Sequence, residues 1–148
     1  MTIEVSARLP TAWRLRLIRG AAVAGGVAAA LAVWGVATAE FGVDVHQPAF
    51  GADAQVGEMT VAPVVAAAAG GGLAGWLLLA VLERITRRAH RVWWPLTTFG
   101  LLMSFAGPLS APGISADDRL VLSLMHLAVG ATVIGVLWRT STTGRRES

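Results

Sequence analysis

Residues 61–82 read VAPVVAAAAGGGLAGWLLLAVL, a run without one charged side chain. At ~1.5 Å rise per residue, a helix of this length covers the roughly 30 Å of a bilayer's hydrocarbon core. Pro63 falls in the first turn, where a missing N–H costs nothing. The run stops at Glu83-Arg84, and residues 83–91, ERITRRAHR, form a basic connection. The stretch therefore reads as a transmembrane helix that ends at a headgroup layer.

Three further blocks follow the same pattern. The first spans about 20–41 behind Arg14, Arg16 and Arg19. The third, 92–109, opens on Trp93-Trp94, has Pro95 in its first turn and closes on Gly107-Pro108. The fourth covers 120–138, with Ser115 or Asp117 placed to cap its start. Residues 42–60 hold Pro48 and three acids but no Arg and read as a loop; a polar, disordered tail occupies 139–148. Ala37-Thr38-Ala39 after a basic start resembles a signal-peptidase site, but the apolar block is long for a signal, so an uncleaved helix is favoured.

Composition supports this reading. Hydrophobic residues make up 55% of the 148 and charged residues 14%, against about 25% charged in soluble domains; mean hydropathy is +0.62. A soluble all-helical domain would lack the polar surface to face water. The net charge of +3 comes entirely from Arg, with no Lys and no Cys. These arginines flank the apolar blocks, so they anchor to lipid headgroups and do not suggest nucleic acid. The absence of Cys excludes thiol chemistry.

The arginines also set orientation. Arg8, Arg14, Arg16, Arg19, Arg84, Arg87, Arg88, Arg91, Arg139, Arg145 and Arg146 share one side of a four-span arrangement, and Arg119 alone lies opposite. Glu40, Asp44, Asp53, Glu58, Asp117 and Asp118 gather on the Arg-poor side. The expectation is an all-α, up-down-up-down, integral membrane four-helix bundle, multi-pass in the cell (inner/plasma) membrane, with both termini cytoplasmic. Trp13, Trp93, Trp94 and Trp138 fall at the inner interface, whereas Trp34 and Trp76 lie within spans and pack between helices. Small residues let helix backbones approach in lipid. Gly25-Gly26 and the Gly71…Gly75 spacing therefore point to helices one and two as the tight pair.

Ionisable residues inside a membrane are costly and mark candidate sites. His126 is the clear case, about six residues and roughly 9 Å in from the outer end of its helix. Trp34 and Ser104 lie at similar depth. The three could line a ligand pocket open to the outer leaflet, although a His126–Ser104 hydrogen bond is the simpler arrangement. Glu40, Asp44 and His46 are a weaker group that could hold a cation, with a solvated acidic loop favoured over a metal site. Glu83 is explained by an ion pair with Arg84, Arg87 or Arg88. No G-x-S-x-G, H-E-x-x-H or phosphate-cradling loop occurs, and no cofactor is implied.

Gly75–Arg84 (GWLLLAVLER), Leu102–Leu109 (LMSFAGPL) and Leu124–Val129 (LMHLAV) together resemble a family of small four-span actinobacterial membrane proteins labelled as a domain of unknown function. The resemblance covers roughly 15–138. It implies the four-helix architecture and a recurring pattern that includes Glu83, Ser104, Gly107, Pro108 and His126; it implies no activity.

Two functional readings follow. One is a non-enzymatic accessory or hydrophobic-ligand-binding bundle, whose partners are the bilayer, a second copy or another membrane protein, or a hydrophobic small molecule. The other is a membrane-embedded isomerase or cyclase acting on a lipid-like substrate, with His126 as acid/base assisted by Glu40 or Asp44. A four-helix multidrug exporter would need a carboxylate deep in its first helix, and none stands before Glu40.

Overall fold

The computed structural model describes residues 11–48 and 56–141. Expectations for Arg8, Asp53, Arg145, Arg146 and the tail past Ser141 lie outside these residues. The elements are α1 (Thr11–Ala39), β1 (His46–Gln47), β2 (Gly57–Glu58), α2 (Val61–Ile85), α3 (Ala89–Ser104), α4 (Ala106–Ser110) and α5 (Ala116–Ser141). Trp13–Ala39, Val61–Ile85 and Ala116–Ser141 are long and apolar enough to cross a membrane, which marks a multi-pass membrane protein.

All four helical segments extend past their apolar blocks. Arg is a good helix former whose long stem lies along an apolar surface while its head stays wet, so helix continues into the basic flanks. The 83–91 connection shrinks to Thr86–Arg88. With α3 starting at Ala89, Pro95 sits inside the helix and not in its first turn. At the other end of α1, Gly42 adopts the left-handed φ of +61 and the Val43 N–H reaches back to the Ala37 carbonyl at 3.1 Å, which ends the helix on a glycine.

The third segment is kinked. α3 has 16 residues, and Phe105 in right-handed helical conformation links it to α4. Pro108 has no N–H for the Ser104 carbonyl and its ring crowds that turn. The Ser104 hydroxyl donates to Leu101 O at 2.7 Å, while the Phe105 N–H turns to Leu102 O at 3.3 Å. The chain still runs the length of the fold. Ala89 and Trp93 join one core cluster with Leu79, Leu82, Val133 and Leu137, at the Arg-rich end. Ala111 and Ile114 join a second with Ala30, Ala37, Val45, Val64 and Val121, at the acidic end.

The outward surface is apolar. Within the three spans only 22%, 22% and 28% of the most apolar stretch is buried, and Leu73, Leu77, Phe99, Leu102, Leu124 and Leu127 face outward. In water that surface would be costly; against lipid tails it is neutral.

Helix pairing differs from the sequence expectation. α1 packs most extensively on α5 and only then on α2. A Cβ on Gly26 would lie 3.1 Å from Val133 Cγ2 and 3.4 Å from Val129 Cγ1, both on α5, and one on Gly72 would lie 3.1 Å from Val23 Cγ1 on α1. The α1–α2 contact runs through Gly72, whereas Gly71 meets nothing within 4 Å. Trp93, expected at the interface, is fully buried, while Trp94 is exposed and tilts against Trp138 at 5.5 Å.

Candidate functional site

Several small residues on α2 have no helix packed against them. Ala67, Gly71 and Ala74 recur at three- and four-residue spacing and so share a face, and all three are exposed within the fold. Gly100 on α3 likewise has open space where a Cβ would be. The result is a cavity of about 480 Å³ between α2, α3 and α5, to which α1 adds only Ala30. This lies in the range of roughly 300–1,000 Å³ that holds small molecules. Along α2 the lining runs from Pro63 to Leu78, about 22 Å at helical rise. A volume drawn out over that length is a slot and not a chamber.

The walls are almost wholly apolar, and Thr97, Ser104 and His126 supply the side-chain polarity together with the Trp93 indole. The Thr97 hydroxyl donates to Trp93 O at 2.8 Å. Ser104 donates to Leu101 O as described, and His126 Nδ1 lies 2.7 Å from Leu122 O. A carbonyl only accepts, so that ring nitrogen carries the proton. The imidazole also tilts against Phe105 at 6.3 Å. The expected His126–Ser104 hydrogen bond is therefore replaced by two bonds within the residues' own helices, although both side chains line the slot.

Trp34 does not share it. Its ring packs against the acidic-end core, and its indole nitrogen is buried without a hydrogen-bond partner. α1 turns this ring toward that core and away from the slot.

Glu40 and Asp44 are exposed beyond the end of α1. His46 lies in β1, opposite Glu58 across the two-residue antiparallel pairing. Its ring Nδ1 sits 3.5 Å from Asp118 Oδ2. Among the described residues no three of His, Asp and Glu approach closely enough to hold a metal.

Asp118, in the sequence one of the acids on the Arg-poor side, organises this end. It is 1% exposed. Its carboxylate accepts the His46 N–H at 2.9 Å and the Ser115 N–H at 2.9 Å, and Ser115 Oγ accepts the Asp118 N–H at 3.0 Å. This is a capping box that also ties down the 42–48 segment. The Ser115-x-x-Asp118 spacing was the available signal. Arg119, the exception to the charge partition, donates to Leu109 O at 2.7 Å and Ala111 O at 3.1 Å, satisfying carbonyls at and just past the end of α4.

At the opposite end, Glu83 finds a partner on another helix. It takes a two-pronged ion pair from Arg19 on α1, at 2.9 and 2.6 Å. Arg19 is 8% exposed, so one of the arginines read as a headgroup anchor is instead an interhelical clamp.

No curated protein and no solved structure matches this chain. The profile of a family of unknown function, DUF6069, matches residues 9–143, in keeping with a resemblance to a family that has no assigned activity. The chain belongs to that family.

Proposed function

We propose that this protein is a four-span bundle of the cell membrane, with both termini cytoplasmic, that binds a hydrophobic small molecule without transforming it. The observation that carries the ligand reading is the apolar slot between α2, α3 and α5, with Ser104 and His126 on its wall. The four-span orientation rests on the Arg partition and on the kinked α3–α4 segment, whose two halves total about the length that a hydrocarbon core requires. The bilayer is the primary partner, and the outward apolar faces suit a second copy or another membrane protein. Nucleic acid has no part in this reading. An all-Arg, Lys-free composition accords with the actinobacterial origin that the resemblance implies.

An enzymatic alternative has one observation in its favour. The second ring nitrogen of His126 makes no hydrogen bond among the described residues. Against it, Glu40 and Asp44 do not line the slot, so an isomerase or cyclase would have to work with His126 alone.

Gly71→Leu separates ligand binding from folding, because a Cβ at Gly71 has nothing within 4 Å and the new side chain grows from the slot's wall. Full-length protein is purified in mild detergent and extracted, and the extract is quantified by mass spectrometry. Wild type is expected to retain a lipid-like molecule near one per chain, and Gly71→Leu to lose it while keeping its helical circular dichroism. Equal retention by both would contradict the proposal.

A further inference from the structure

The slot's polar groups share a property that bears on what it accepts. Thr97, Ser104 and His126 each donate a hydrogen to a carbonyl of their own helix, Trp93 O, Leu101 O and Leu122 O, at 2.7–2.8 Å. A hydroxyl has one hydrogen, and the neutral imidazole has one as well. With these engaged, Thr97 and Ser104 have lone pairs left, and His126 Nε2 bears a lone pair with no partner among the described residues. The remaining side-chain donor in the lining, the Trp93 indole nitrogen, is buried without a partner and presents no surface to the slot. The polar level of the slot therefore offers acceptors and no side-chain donor.

In a low-dielectric cavity this selects strongly. A carboxylate or phosphate would bring negative charge against lone pairs, without a donor to offset the loss of its hydration. An ether or ester presents only lone pairs and gains nothing from His126. A hydroxyl supplies the missing hydrogen. Geometry agrees: along α5 the lining runs from Leu122 to Ile134, so His126 sits one turn in from the acidic end. About 12 Å of wall lies beyond it, formed by Val129, Gly130, Val133 and Ile134 with Leu96 and Gly100 opposite.

Resting on the ligand-binding reading above, we infer that the slot takes an uncharged single-chain lipid ending in a hydroxyl, a long-chain alcohol. Its O–H donates to His126 Nε2, and its chain runs from there toward the Arg-rich end. Ser104, on the facing helix, adds acceptor capacity at the slot's polar level. The Nδ1–H bond to Leu122 O holds the ring in the tautomer that this recognition needs.

The test uses the full-length protein in lipid nanodiscs with three probes of matched chain: hexadecan-1-ol, its methyl ether and hexadecanoate, each at equal mole fraction in the bilayer. Wild type is expected to bind the alcohol about three- to tenfold more tightly than the ether, the scale of one neutral intramembrane hydrogen bond, with hexadecanoate weakest. His126→Phe keeps a planar ring without the acceptor; it should bring the alcohol down to the ether's affinity and leave the ether unchanged. Equal binding of alcohol and ether by wild type, or a preference for hexadecanoate, overturns the inference while ligand binding itself stands. A preference that survives in His126→Phe overturns the role of that residue. Failure of all three probes to bind removes the ligand reading and this inference with it. The wild-type comparison decides the question even if the variant does not fold.

Discussion

Glu83 illustrates what a linear reading of charge misses. Three arginines lie within five residues of it, and local neighbours are the natural partners to assume. Its actual partner, Arg19, is 64 positions away, because the fold brings the basic end of α1 beside the basic end of α2. Removing Glu83 leaves the buried Arg19 guanidinium unpaired, whereas removing Arg19 leaves a carboxylate that still meets solvent. Glu83→Gln or Arg19→Ala should lower stability by about 1–3 kcal/mol, the lower part of the buried-pair range because Glu83 retains some solvent contact. Arg19→Leu combined with Glu83→Leu should recover much of that loss. Thermal unfolding in detergent measures each, and equal losses for single and double variants would show that the pair contributes only through packing. The same contrast holds at His126 and Trp34: both were placed at one depth from sequence, yet only His126 lines the slot. Counting residues gives position along a helix axis, while the facing direction depends on which neighbour the helix packs against.

At the scale of elements, the ends and pairings of helices diverge from the hydropathy pattern for identifiable reasons. Span existence follows from long apolar runs, which no other environment explains. Span ends do not, because Arg extends helices into the headgroup region and Pro95 is tolerated inside α3. The GxxxG spacing in α2 was a poor guide to the tight pair, since in an Ala- and Gly-rich run adjacent small residues differ by about 100° of helix rotation. Gly71 opens on the slot while Gly72 sits under Val23. The neighbouring pair makes a stringent comparison. Gly72→Leu must separate α1 from α2 and should cost about 1–3 kcal/mol through overpacking. Gly71→Leu should be neutral or slightly stabilising, since Leu exceeds Gly in helix propensity by roughly 0.8 kcal/mol. Similar melting temperatures for the two variants would mean that the α1–α2 contact does not run through Gly72.

For the molecule as a whole, the slot exists because α3–α4 travels beside α2 and α5 along their full length, and its ligand reading in a membrane requires that segment to cross. α1, α2 and α5 have the length and composition to span by themselves; in the four-span proposal α3 and α4 cross together, on either side of Phe105. The chain has no cysteine, so single cysteines introduced between the helices report sidedness without background. The deciding measurement is labelling of Thr86→Cys and Pro112→Cys in intact cells with a membrane-impermeant maleimide, before and after permeabilisation. The account predicts that Pro112→Cys labels from outside and that Thr86→Cys labels only once the membrane is opened. Labelling of both from the same side would place α3–α4 on one face of the bilayer and contradict it.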